Sequence, residues 1–130
     1  MAAGGVLGAA ARYEMSTALA TAPGSFPLAT FAINVSGSLV LGALLAVVIE
    51  RWRPSEYLRP FFATGFLGAY TTWSTFMVDT DDLLKTGHAA IAAGYVAASL
   101  AAGLAAVYVG VAAVRAWRPG FVRRIRRGAR

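Results

Sequence analysis

From Gly65 to Phe76 the chain reads Gly-Phe-Leu-Gly-Ala-Tyr-Thr-Thr-Trp-Ser-Thr-Phe, setting the hydroxyls of Thr71, Thr72, Ser74 and Thr75 beside the rings of Trp73 and Phe76. The surrounding residues are apolar enough to cross a membrane. Polar groups and glycines at bilayer depth let a helix break and re-pair its freed backbone groups, which is tolerated where the chain lines a cavity or an ion site. Such a stretch can present hydroxyl donors, released carbonyls and the electropositive rims of aromatic rings, the chemistry of handling a small ion.

Three further strings carry polar groups at helical spacing. Thr30, Asn34, Ser38 and Gly42 follow one another at i+4 steps and so share one helical face. One reading is helix packing, in which small residues let backbones approach and an amide bonds across to a neighbour. The other is permeation, since the Asn34 amide offers two N–H donors that can replace part of an anion's hydration shell. Tyr95, Ser99 and Gly103 repeat the spacing among alanines, with packing again the default. Gly4, Gly8, Arg12 and Ser16 do so near the start. Arg12 lies half-way along an apolar run, so its guanidinium must contact Glu14 or backbone carbonyls, snorkel, or face a wet vestibule. Structural use is the simpler reading.

The elements that position these residues are predicted to be membrane helices. Of 130 residues, 58% are hydrophobic and 14% charged, with a mean hydropathy of +0.60. A soluble domain would carry about 25% charged residues. Four apolar runs, residues 2–22, 26–49, 57–78 and 87–114, each approach or exceed the ~20 residues that a helix needs to span the hydrocarbon. They lack period-2 alternation and are about twice the length of a barrel strand, which excludes a β-barrel. The expectation is an all-α membrane protein with four transmembrane helices per subunit: a domain over residues 1–117 and a basic tail over 118–130. Pro23-Gly24-Ser25 with Pro27 separates the first two runs, and Glu50 to Glu56, with an interfacial Trp52, separates the next two. Both connections are short, so neighbours should run antiparallel. Asp79, Asp81 and Asp82 are expected in a solvated loop.

Several functions are disfavoured. There is no cysteine, which removes disulfides and thiolate chemistry, and His88 has no partner spaced to help it hold a metal. No nucleophile and base stand at interacting spacing, so an enzyme is not expected. A signal peptide over the first run is rejected because it lacks a basic start and Arg12-Tyr13-Glu14 interrupts it. The basic tail suits anionic lipid headgroups better than nucleic acid.

The third-run string resembles the Gly-Phe-x-Gly-x-x-Thr-Thr-Phe-Ser-Thr-Phe motif of the Fluc (CrcB-type) fluoride channels, with Trp73 where that family usually has Phe. Gly4-Gly5-Val6-Leu7-Gly8-Ala9-Ala10-Ala11-Arg12-Tyr13 is similar to the family's opening Gly-Gly-x-x-Gly-Ala-x-x-Arg-Tyr, and Thr30 to Ser38 to its Thr-x-x-x-Asn-x-x-Gly-Ser element. The resemblance covers about residues 4–110, with the motifs in matching order. It implies a passive fluoride channel made of two antiparallel four-helix subunits, with the third helix broken at mid-membrane, two pores, and a sodium ion on the dyad. By the same resemblance Asn34 donates to fluoride and Phe76 offers its ring edge, with Trp73 at the other aromatic position. The carbonyls of Gly68 and Thr71 hold sodium, while the Thr71, Thr72, Ser74 and Thr75 hydroxyls line the broken stretch. Tyr95 and Ser99 are further pore candidates.

Elementary chemistry is in keeping with this. Fluoride is small and strongly hydrated, so a selective path must supply successive donors without binding the ion too tightly to release it. An anion approaches the rim of an aromatic ring, never its face. Two other classes compete. A small multidrug-type proton-coupled cation antiporter would use Glu14 as its membrane acid, but leaves residues 71–76 unexplained and has no aromatic cage. A structural membrane subunit would simply pack its small-residue stripes.

Charge distribution adds an expectation about assembly. With four spans, the loop after the second and the tail share one face, carrying Arg51, Arg53, Arg59, Arg115, Arg118, Arg123, Arg124, Arg126, Arg127 and Arg130 against Lys85 on the other. The positive-inside rule then places both termini in the cytoplasm. Such a bias predicts a preferred orientation, so the antiparallel mate is expected to be an oppositely biased homologous subunit, with a second copy of this chain as the close alternative.

Overall fold

The computed structural model describes residues 1–50 and 60–116. Arg51, Arg53, Arg59 and Trp52, the start of the third expected span and the tail 118–130 lie outside them. Among the described residues all regular structure is helical: α1 (Ala2–Ala18), α2 (Leu28–Glu50), a π-helical stretch (Pro60–Leu67) running directly into α3 (Gly68–Tyr70), α4 (Trp73–Lys85) and α5 (Ala89–Ala116).

The first helix stops at Ala18, short of the expected residue 22. Pro23 biases the residue before it away from helical geometry, and the Ala22 carbonyl accepts from both the amide and the hydroxyl of Ser25, so this stretch turns. Helices α2 and α5 each begin two residues later than expected, at Leu28 and Ala89. The third run is indeed broken: Thr71 (φ −73°, ψ 157°) and Thr72 (φ −146°, ψ 116°) are extended between α3 and α4. Asp79, Asp81 and Asp82 do not lie in a loop. They belong to α4, which Thr72 caps by accepting from the Thr75 amide, and whose last turn pairs Lys85 with Asp81. That hydrogen bond raises the Lys85 pKa above its ordinary value.

Two close pairs build the fold. α2 lies along α5, where a Cβ on Gly42 would strike the Val107 carbonyl and one on Gly110 the Leu39 carbonyl, with Gly103 near Ser38. α1 lies along the π-helical stretch, Gly4 against Phe61 and Phe66, and Gly8 against Phe66 and Ala69. In both pairs residue numbers climb together, so the partners run the same way, as alternate members of an up-and-down bundle must. The region 28–48 (mean hydropathy 2.2) and α5 (2.0) are long and apolar enough to cross a membrane. Only 22% and 11% of their apolar windows are buried within the chain, unlike the core helix of a soluble protein.

Candidate functional site

The helix break is held from outside by α2. The Thr72 amide donates to Asn34 Oδ1 at 2.9 Å, and Asn34 Nδ2 donates to the Thr72 carbonyl at 3.0 Å, so one side-chain amide grips both faces of one peptide residue. Thr72 Oγ1 accepts from the Thr75 amide (3.1 Å), donates to Thr75 Oγ1 (2.9 Å) and lies 3.3 Å from Ser74 Oγ. Gly37 leaves room for the Thr71 side chain, because a Cβ there would collide with Thr71 Cγ2. Upstream, Tyr70 is tied to Ser36 across a 2.8 Å hydroxyl pair, and Thr71 returns both its amide and its hydroxyl to the Leu67 carbonyl.

These bonds decide which carbonyls are released. In an uninterrupted helix the Thr72 amide would serve Gly68 and the Thr75 amide would serve Thr71. Both amides are diverted, one to Asn34 and the other to Thr72 Oγ1. The two carbonyls that the resemblance assigns to sodium are therefore two whose helical donors have been taken elsewhere, and Gly68 is exposed. Oxygen ligands of this kind suit a hard cation, so the residues present fit such an ion.

Beside the break lies a cavity of about 490 Å³. Asn34, Gly68, Thr71, Thr72, Trp73, Phe76 and Ser99 all line it, together with Ser38 and Gly103. Ser99 Oγ is buried there with no hydrogen-bond partner among the described residues. Ser74 and Thr75 are exposed outside the lining and reach it only through the hydroxyl of Thr72. Tyr95 does not line the cavity either: it is fully buried behind Phe76, ring centroids 5.1 Å apart. Trp73 stands 68% exposed and stacks obliquely on Phe76 at 5.1 Å and 36°. Arg12 sits half-buried on α1 away from this cluster, and no ion pair joins it to Glu14. His88 is an exposed turn residue, within hydrogen-bonding distance of Thr86 and against Gly24, whose φ of +79° suits glycine.

The sequence reading missed one participant. Asp79 Oδ2 accepts from Thr30 Oγ1 at 2.6 Å and from the Tyr95 hydroxyl at 3.4 Å, so α2, α4 and α5 meet on one carboxylate. Asp79 also lines a second cavity, of about 400 Å³, between the α1–α2 loop and the end of α4. Phe76, Tyr95 and Asp79 thus lead from the first cavity to the second. A signal was present: Thr30 and Tyr95 head the two polar stripes, and a helix continued past Phe76 carries Asp79 round to them at i+3.

A family model for "CrcB-like protein, Camphor Resistance (CrcB)" matches residues 1–111. The chain belongs to the CrcB-like family. Curated CrcB-like relatives include "Fluoride-specific ion channel FluC 3" of Streptomyces avermitilis, 52% identical over the whole of this chain and 62% of that protein. This chain thus spans less than two thirds of that relative's length. "Fluoride-specific ion channel FluC 2" of Nocardia farcinica is 44% identical over 93% of this chain and 86% of its own, and the FluC 2 of Symbiobacterium thermophilum is 47% identical over 91% and 97%.

Proposed function

We propose that the protein is a fluoride-selective channel, not an enzyme, through which cytoplasmic fluoride leaves passively across the cell membrane, lowering its toxicity. The observation that carries this is the convergence of Asn34, Thr72, Ser99 and the Phe76 ring on one cavity beside a helix break. The names of the relatives supply the ion, and the cavity supplies what that ion needs. Ser99 Oγ is a buried hydroxyl with no partner among the described residues, and Asn34 keeps one Nδ2 hydrogen beyond the one held by Thr72. Phe76 and Trp73 add ring edges, and Thr72 couples the hydroxyls of Ser74 and Thr75 to the lining.

Sodium is the structural ion of this proposal, held by the Gly68 and Thr71 carbonyls, and it would offset their desolvation. The assembly is an antiparallel pair of four-span subunits, residues 1–117 each, surrounded by membrane lipid, with Arg12 in a structural or vestibule role and the tail 118–130 on the headgroups. The exposure of Gly68 and Trp73 at the cavity leaves a side on which a second subunit can close it. The antiporter reading loses support because Glu14 is exposed on α1 and lines neither cavity.

Purified protein in liposomes loaded with potassium fluoride provides the test, with valinomycin to release the potassium counter-charge and an electrode to read the ion. Fluoride efflux without coupled proton movement is expected. Proton movement driven by organic cations would favour the antiporter, and absence of any flux a structural subunit.

A further inference from the structure

We propose that Asn34 is a positioning residue: its amide clamps the Thr72 peptide and so keeps open the helix break that frees the Gly68 and Thr71 carbonyls. The pair of bonds is reciprocal, Nδ2 to carbonyl at 3.0 Å and amide to Oδ1 at 2.9 Å, like one rung of a sheet made by a side chain. It reaches 38 residues along the chain, and Thr72 is only 6% exposed, so water does not offer the same bonds in its place. A freed Thr72 amide has an obvious alternative. The Gly68 carbonyl lies in the last helical turn before the break, and a bond between them would extend the helix by one residue. The clamp removes that competitor and leaves Thr72 extended, from which position its hydroxyl caps α4 and draws the Thr75 amide away from Thr71.

The residue type follows from the task. Asparagine carries a donor and an acceptor on one planar group at the length needed, aspartate lacks the donor when ionised, and serine offers a single atom. This adds a second role to the residue that the proposed channel uses as a pore donor, and its readout stands whether or not fluoride passes.

Amide hydrogen exchange, resolved by residue on the full chain in detergent, tests it. In the unaltered protein Thr72 should exchange at least about tenfold more slowly than Trp73 and Ser74, the amides of the same helix start that have no such clamp. Asn34→Leu keeps the branched side-chain frame and removes both bonds, so the freed Thr72 amide passes to Gly68 and the Thr72 Cα chemical shift should move from the extended to the helical range while those of α5 hold. Ser99→Ala, altered in the same cavity, should leave Thr72 protected. Thr72 exchanging as fast as Trp73 in the unaltered protein, or a Thr72 Cα chemical shift that stays in the extended range in Asn34→Leu, would overturn the clamp. The first of these comparisons needs no variant to fold. Fluoride flux in liposomes is measured separately, so an unclamped Thr72 in a conducting protein refutes the clamp alone, and a clamped Thr72 in a silent protein refutes only the channel.

Discussion

Every polar atom of Thr72 is paired, its backbone with Asn34 and its hydroxyl with Ser74 and Thr75, whereas across the cavity Ser99 Oγ is buried with no partner among the described residues. That contrast separates a residue that shapes the site from one that the proposed channel leaves for its ion. Trp73 is of the second kind. It is largely exposed and touches Phe76 through its ring, so Trp73→Phe leaves no internal hole and should shift stability by less than about 0.5 kcal/mol. Fluoride efflux should persist at an altered rate, because phenylalanine keeps the electropositive rim and loses only the indole N–H. An inactive but folded Trp73→Phe would refute the ring-edge role. Asp79 is of the first kind. Asp79→Leu removes the acceptor that Thr30 and Tyr95 share, leaving those hydroxyls only each other, and should cost about 1–3 kcal/mol, read as a fall in thermal midpoint, while Asp79→Asn keeps an acceptor and should cost less. The types of Asn34 and Thr72 marked both as unusual for lipid, but their bond joins residues far apart in the chain, so no local pattern announces it. Asp79 was obscured by its neighbours, since three acids within four positions look like solvated loop.

Among the helices, close approach is carried by a few glycines, and their stripes were legible. The structure sets Thr30, Asn34, Ser38 and Gly42 on α2 against Tyr95, Ser99 and Gly103 on α5, a pairing the spacing alone did not give: the first members share Asp79, the middle ones line the cavity, and Gly42 meets Val107. Packing and site construction are therefore not alternatives here. One face tightens at its far end and opens beside the break. Gly110→Ala would drive a methyl group into the Leu39 carbonyl and the Ala43 amide, both backbone, and should destabilise by about 1–3 kcal/mol. Gly94 has nothing near its missing Cβ, so Gly94→Ala should be neutral or stabilising by up to about 1 kcal/mol. Thermal unfolding in detergent distinguishes them, and equal losses would mean that the α2–α5 contact does not limit stability. Helix ends were less legible than helix faces. No glycine or proline stands between Ala18 and Ala22, and what stops α1 at Ala18 is a turn closed by Ser25 beyond it.

At the scale of the whole molecule the arginine bias makes a prediction of its own. Single cysteines placed at Ser25 and at Ala129, labelled with an impermeant thiol reagent on intact cells, should react at Ser25 only if both termini are cytoplasmic. Equal labelling of both sites in chains expressed alone would show insertion in both directions, and no heterologous mate would then be required. Composition and run length by themselves determined that the chain is helical and apolar, and the polar string from Gly65 to Phe76 that its third run can break, because the hydrophobic effect and backbone hydrogen bonding act on local pattern and need no knowledge of neighbours. The ordered motifs determined the family in the same local way. Tertiary structure alone decided which polar groups remain available. Asn34 is half committed to Thr72, Tyr95 is withdrawn behind Phe76, Ser74 and Thr75 face away, and Asp79 is drawn in. Whether a donor serves the fold or an ion depends on what stands within about 3 Å of it, and in this protein those partners come from other helices.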